Sequence, residues 1–442
     1  MAASPTGRAA PVLLLGAGLT GLSAAHALER VGVPYRLLEK LPWSGGHAVT
    51  TLDEGYRFDR TGHLLHLRDP ALRAEVLEWL AGDCLEIARR SRVWSNGVYT
   101  RYPFQANTFG LPPDVARECV LGFVQAHFAE RRKEPANFEE FCLAHFGRGM
   151  TRHFMLPYNA RLWGVPPSEI TSAWCQRFVP LPKLEDVIAG AVGSNDRELG
   201  YNQTFLYPRL GIGELPRALE RRVTGLELGR APRRIDLRAR VAELDDERVP
   251  FDVLLSSVPL PVLLGLLDPL PDEVRAAAAK LRATHLYYLD LALERAPRTD
   301  FHWVYVPEAK YPFYRVGCYS HFSPELAPPG AGSLYVELAD RSEPELDRVT
   351  REAVAGLVEM GVLGGAGDVR FARLRRIDYA YVIFDHAYYS ALGVIQPFLE
   401  GERIVSTGRY GGWNYSSMED ALLMGRAGAA RARDWLGKAA EP

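Results

Sequence analysis

Val12-Leu13-Leu14-Leu15-Gly16-Ala17-Gly18-Leu19-Thr20-Gly21 is the stretch on which the fold turns. Its four leading apolar residues read as a buried strand. The G-x-G-x-x-G that follows opens a helix, with Leu22, Ala25, Ala27 and Leu28 at helical spacing and Gly32 as terminator. Pro34 to Glu39 then reads as a second strand, which makes the unit βαβ and places an acidic residue 23 positions after Gly16. In such a unit Gly16 permits the tight turn, Gly18 lets a pyrophosphate approach backbone N–H groups, and Gly21 lets helix and strand pack closely. Glu39 can accept both ribose hydroxyl protons and would repel a 2′-phosphate, so a dinucleotide other than NADP is expected. FAD is favoured over NAD by a second glycine pair, Gly45-Gly46, and by the remote strand-glycine-helix element Gly408 to Met418. A cofactor of that length needs a second backbone approach.

Outward from this unit, 442 residues imply two or three domains around at least one large core. Apolar residues at 47% and charged residues at 24% are globular values and exclude a disordered or collagenous chain. A net charge of -2 gives no field that would hold polyanions in bulk, so nucleic acid and membrane surfaces are not expected partners, and any anion must meet a local site. Cys84, Cys119, Cys142, Cys175 and Cys318 lack C-x-x-C spacing. No metal site or disulfide framework is therefore expected, and a reducing, cytoplasmic location is. Met1 to Leu15 holds no apolar run long enough for a signal or membrane segment.

Farther along, Pro70 can open a helix, Val115, Cys119 and Phe123 share a helical face, and Asn137 with Glu140 marks another helix start, so residues 69–180 are predicted to be mainly helical. Strand patterns return at Phe251–Leu255, at the alternating His285–Leu293 and at Ser333–Leu338. Arg403–Thr407 leads through glycines to a helix whose start is read from Ser416 and Glu419. The expected fold class is α/β: a discontinuous Rossmann-like FAD-binding domain (1–68, 205–262 and 396–438), an inserted helical domain (69–180), and an antiparallel β-sheet substrate domain (181–204 and 263–395).

Several downstream motifs, in this order, resemble the flavin-dependent UDP-galactopyranose mutase family: YPFQAN (Tyr102 to Asn107), PYNARLWGVP (Pro157 to Pro166), Arg177, NQTFLYP (Asn202 to Pro208), YVPEAKYPFYR (Tyr305 to Arg315), YAY (Tyr379 to Tyr381) and GRYGGWNYSSMED (Gly408 to Asp420). The resemblance implies that Arg177 and Arg315 hold a substrate diphosphate with the hydroxyls of Tyr305, Tyr381 and Tyr415. It implies that Tyr102, Phe104, Gln105 and Phe154 form a pocket for the base, and that Asn159, Trp163 and Asn202 face the sugar. Gly62 and His63 would lie beside the flavin, with Gly408, Arg409, Tyr415 and Met418 completing the cofactor site. Arg177, Arg315 and His63 are the catalytic candidates.

The chain departs from the family pattern at Arg60 and Thr61, where small residues are expected, at Val382 and at Glu419-Asp420. The implied activity is an isomerase that interconverts pyranose and furanose forms of a nucleoside-diphosphate sugar through a reduced-flavin N5–sugar adduct, primed by NAD(P)H or another donor. It needs no side-chain nucleophile and is compatible with a homo-oligomer. The alternative is a flavin amine oxidase or protoporphyrinogen oxidase-like oxidoreductase of the same superfamily.

Overall fold

The computed structural model describes residues 10–130, 134–175, 179–194 and 203–439. Val12–Leu15 is a fully buried strand flanked in parallel by Tyr35–Glu39 on one side and Val253–Ser256 on the other, with Val12 opposite both Tyr35 and Val253. Leu226–Leu228 and Ile404–Ser406 add the two edges of a five-stranded parallel sheet. Near-continuous apolar strands are what a parallel sheet covered on both faces requires. The helix Leu19–Arg30 lies over this sheet beside the long helix Met418–Ala439, and the Ser23 hydroxyl donates to the Leu422 carbonyl at 2.7 Å. Residues nearly 400 positions apart thus share one apolar core, with Leu14, Leu22, Leu28, Leu37, Leu255 and Leu422 within it.

The second large sheet has seven strands, in the order Val369–Val382, Ala283–Leu293, Gly332–Leu338, Phe313–Cys318, Trp303–Tyr305, Ser91–Ser95 and Val98–Arg101. One face is apolar: Leu289, Leu291, Val304, Val316, Leu334, Val336 and Leu338 pack under the helix Leu346–Glu359. Period-two alternation sends the intervening residues to the opposite face. The register there sets Tyr305 opposite Arg315, Arg315 opposite Glu337, Glu337 opposite Tyr288, and Tyr288 opposite Arg375. A neighbouring row on the same face runs Trp303, Gly317, Tyr335, Asp290, Arg373. A one-residue slip in any strand would bury these charges against the helix, so the register is strongly specified.

Two sequence expectations need correction. The stretch 69–180 is not helical throughout: Cys84–Ala88 pairs with Thr204–Pro208, and Ser91–Ser95 with Val98–Arg101 extends the seven-stranded sheet. The hairpin is made by Asn96-Gly97, both left-handed (φ 53° and 77°), the dipeptide that a tight two-residue turn between strands demands. The last helix is capped one residue later than expected. The Ser417 hydroxyl accepts from the Asp420 amide and the Asp420 carboxylate accepts from the Ser417 amide, at 3.1 and 2.8 Å. Glu419, freed from the cap, accepts instead from the amides of Arg68 and Asp69 and buries its side chain.

The helices of 69–180 pack through glycine. The non-helical Gly147 (φ 70°) lets Phe138–Met150 cross Pro113–Phe128 at Gly122, where a Cβ on Gly147 would overlap the Gly122 carbonyl. A wide helical turn, Thr151–Met155, then leads into Leu156–Trp163, which ends at a left-handed Gly164 and carries Tyr158 and Trp163 toward the polar face of the sheet. Among the described residues no helix is long and apolar enough to cross a membrane.

Candidate active site

The glycine turn forms as the spacing predicts. Gly16 sits at φ 91°, and a Cβ on Gly21 would overlap the Gly16 carbonyl oxygen, so Gly21 is needed for the close packing of helix on turn. Gly18 is different: the nearest atom to a Cβ there is the Gly46 Cα, 3.8 Å away, so the space beside its backbone is open. Gly45 and Gly46, both left-handed, come up against this opening, with the Gly45 amide donating to the Ala17 carbonyl at 2.8 Å. Gly408 (φ 82°) closes on the same helix, where a Cβ would sit 2.5 Å from the Thr20 hydroxyl oxygen. The three glycine elements that the sequence separates by almost 400 residues therefore converge.

Glu39 ends its strand buried. One carboxylate oxygen accepts from the Ala17 amide at 2.8 Å and the other from the Leu41 amide at 2.9 Å, which ties the acid to the turn while leaving further lone pairs for ribose hydroxyls. Near the far end of this space, His63 Nδ1, Trp413 Nε1, Asn414 Oδ1 and Ser416 Oγ are buried polar atoms without a partner among the described residues. Buried polar atoms normally have one, so a polar ligand is what this set calls for. The open Gly18 backbone, the buried acid and the orphaned donors and acceptors fit a flavin dinucleotide.

The substrate candidates gather on the polar face of the seven-stranded sheet. Arg315 donates through Nη2 to Glu337 and, at 3.2 Å, to the Tyr381 hydroxyl, while its Nε has no partner among the described residues. Glu337 has no exposed surface. Burial works against the Arg315 charge, but Glu337 together with the surrounding Tyr381, Tyr158 and Tyr335 holds the guanidinium well above its ordinary value. The Tyr305 ring lies 4.8 Å from Tyr102 and 5.3 Å from Tyr158. Tyr381 stacks on Tyr415 at 6.2 Å, and Trp163 meets both of these rings edge-on or tilted. Arg409 lies 4.6 Å from the centre of the Tyr415 ring and donates to the Ser416 and Ala380 carbonyls, so it spans the flavin and substrate elements. Met418 opens the last helix and packs on the nucleotide-domain core.

His63 stands where the two groups meet. Burial pushes its imidazole down to about 4, and the Arg409 and Arg315 charges push it the same way, so it is neutral near pH 7. His47 is held down to about 3, first by burial and then by Arg60. The site thus keeps its positive charge on arginines alone.

Not every expected residue reaches this face. Phe104 is fully buried and stacks directly on Phe154 at 4.9 Å, with Phe154 in turn 5.3 Å from Tyr158, so Phe104 is core behind the pocket rather than a free stacking surface. The Gln105 amide donates to the Pro180 carbonyl at 3.0 Å, and the Asn159 amide folds back to the Met155 carbonyl at 2.7 Å. Arg177 and Asn202 lie outside the described residues. Sequence reading missed Glu337 and Tyr158. The signal for Glu337 was its place, with Ser333 and Tyr335, at the alternate positions of an otherwise apolar strand.

Just before the His63 turn, Asp59 is buried and accepts from Thr50 and Tyr207 hydroxyls, each at 2.6 Å, and from the Ile212 amide at 3.3 Å. Burial nonetheless pushes its carboxyl from 3.8 up to about 7. The folded protein then binds a proton that the unfolded chain has released between those values. This contribution is full below about pH 4 and is lost as pH rises toward 7. Asp59→Asn, which mimics the protonated acid, should gain on the parent by about 1.4 kcal/mol per pH unit across that window. Urea unfolding of both proteins from pH 4.5 to 7.5 checks this, and parallel stability curves would refute it.

A family model for flavin containing amine oxidoreductases matches residues 19–433. A crystal structure of reduced UDP-galactopyranose mutase superposes with a TM-score of 0.90 at 28% identity, covering 97% of this chain and 96% of that one. A probable UDP-galactopyranose mutase of Klebsiella pneumoniae is 22% identical over 177 residues, 38% of this chain and 44% of the relative, so that match spans less than half of the relative's length. A putative protoporphyrinogen oxidase from an Exiguobacterium species shares the fold, with a TM-score of 0.74 at 13% identity over 96% of this chain and 98% of that one.

Proposed function

Because the chain belongs to the flavin containing amine oxidoreductase family, we propose that within it the protein is an FAD-dependent sugar-nucleotide mutase, an isomerase acting on a UDP-galactose-type nucleoside-diphosphate sugar. The observation that carries this reading is the position of Arg409, which belongs to the Gly408–Met418 element and lies 4.6 Å from the Tyr415 ring and 5.8 Å from the Tyr381 ring, the latter bonded to Arg315. The flavin-side elements and the arginine–tyrosine face therefore border one space. Likeness to the reduced mutase over almost the whole chain supports it. An amine substrate would bring positive charge into a space that already holds two buried guanidinium groups, which disfavours the oxidase alternative.

In this reading the FAD-binding part draws on 1–68, 205–262 and 396–438, with the glycine turn and Glu39 taking the pyrophosphate and ribose. Bound and reduced, the flavin supplies a nucleophilic nitrogen for the anomeric carbon, so the protein needs no nucleophile of its own. Arg315, held in place by Glu337, offers Nη1 and Nε to the diphosphate, and the hydroxyls of Tyr305, Tyr381 and Tyr415 add donors without further charge. Arg177 would complete the clamp. Stabilising negative charge on the departing diphosphate is the main task of these groups, and Tyr102 and Trp163 orient the base and sugar ends. His63, neutral at pH 7, can donate or accept one hydrogen bond at the sugar without adding charge.

Incubation of dithionite-reduced protein with UDP-galactopyranose under argon should yield an isomer of unchanged mass, with many turnovers per priming reduction and none from oxidised protein. NAD(P)H or another donor would prime it in the cell. Product two hydrogens lighter, formed in proportion to added electron acceptor, would overturn the mutase reading.

A further inference from the structure

We propose that Tyr319 is a positioning residue whose hydroxyl staples the turn Asp59–His63 into the one conformation that borders the cofactor. The proposal rests on the flavin reading above. Tyr319 follows the Phe313–Cys318 strand and has no exposed surface. Its hydroxyl donates to the Asp59 carbonyl at 2.6 Å and accepts from the Thr61 amide at 3.1 Å. One oxygen therefore closes the backbone around Arg60 from both sides.

The turn needs such a clasp. Thr61 is at φ 64°, and a β-branched residue seldom adopts the left-handed region unless its surroundings hold it there. The next residue is confined as well, since a Cβ on Gly62 would overlap the Tyr335 hydroxyl. Behind the clasp stands a third partner: Asp290, opposite Tyr335 in the sheet, puts Oδ1 3.2 Å from the Tyr319 hydroxyl and accepts from Arg375 Nε at 3.3 Å through Oδ2. A phenol has one proton and two lone pairs, so the Tyr319 proton is shared between the Asp59 carbonyl and Asp290 while a lone pair receives Thr61. The ring itself packs against Phe58, Phe322 and Tyr335, contacts that phenylalanine would keep.

Where small residues would leave this turn free to move, Arg60 and Thr61 stiffen it, and Tyr319 selects the conformer that presents His63. Tyr319→Phe should preserve the fold yet raise amide hydrogen exchange of Thr61 by at least about tenfold, because the amide loses its acceptor among the described residues in a segment without helix or strand. In the flavin-loaded protein the same variant should shift the flavin reduction potential and lower kcat with KM for the sugar nucleotide unchanged. Should the variant fail to fold, the parent decides: its Thr61 amide is expected to be protected, and an unprotected amide overturns the staple. Unchanged exchange, or faster exchange with an unaltered flavin potential, also overturns the proposal and leaves the flavin reading intact. If the parent holds no flavin while Thr61 exchange still rises in Tyr319→Phe, the flavin reading fails instead.

Discussion

Gly18→Val yields a folded but colourless protein. In the absence of ligand the site tolerates the new side chain, since the nearest atom to a Cβ is 3.8 Å away, and that same gap is where a pyrophosphate would approach the backbone. The valine methyls fill it. Loss of the backbone contacts should raise the FAD dissociation constant by about 100-fold or more, roughly 3 kcal/mol. Gly21→Ala is the informative contrast: its Cβ overlaps the Gly16 carbonyl, so it should lower stability together with flavin content. Flavin absorbance and thermal unfolding of the two variants separate the roles, and normal flavin content in Gly18→Val would refute the cofactor site.

Arg315→Ala should damage two properties at once. In the proposed mutase it removes charge-assisted hydrogen bonds to the diphosphate, each about 1.5–3 kcal/mol, so the nucleoside-diphosphate dissociation constant should rise at least about tenfold. It also strands Glu337, fully buried opposite it in the sheet, and an uncompensated buried charge costs about 3–5 kcal/mol. The double variant Arg315→Ala/Glu337→Gln should recover most of the lost stability and none of the binding. Calorimetric titration with UDP and urea unfolding distinguish the two effects. Parent-like UDP binding by Arg315→Ala would place the clamp elsewhere, and a double variant no more stable than the single would deny the ion pair its structural role.

The nucleotide fold was legible because its constraints are local: a buried strand, three glycines at fixed spacing and an acid at the end of the next strand are read within forty residues. The polar face of the large sheet was only half legible. Tyr305, Arg315 and Tyr381 come forward by resemblance of their motifs, but that Glu337 lies under Arg315 depends on the pairing register of two strands, which no local pattern states. Phe104 is marked for the base pocket by its motif, while the structure seats it against Phe154 with no exposed surface, the common surroundings of an aromatic side chain. The Asn96-Gly97 hairpin lies between stretches with helical patterns, at Pro70–Trp79 and Pro113–Phe128, and the expectation of a mainly helical 69–180 passes over it. Helix periodicity is a regional signal and a two-residue turn is a point signal.

The parallel sheet that holds Gly16 and Glu39 has as its edge strand Ile404–Ser406, and the helix covering Leu19–Arg30 is Met418–Ala439. During synthesis the ribosome makes the glycine turn first and the elements that complete its sheet about four hundred residues later. At roughly 5–20 residues per second, that leaves some 20–80 seconds in which the sheet lacks its Ile404–Ser406 edge and the Leu19–Arg30 helix lacks its Met418–Ala439 cover. Cofactor capture is then a late event, after the closing strand has emerged. Until then the side of the Leu19–Arg30 helix that Met418–Ala439 covers stays exposed.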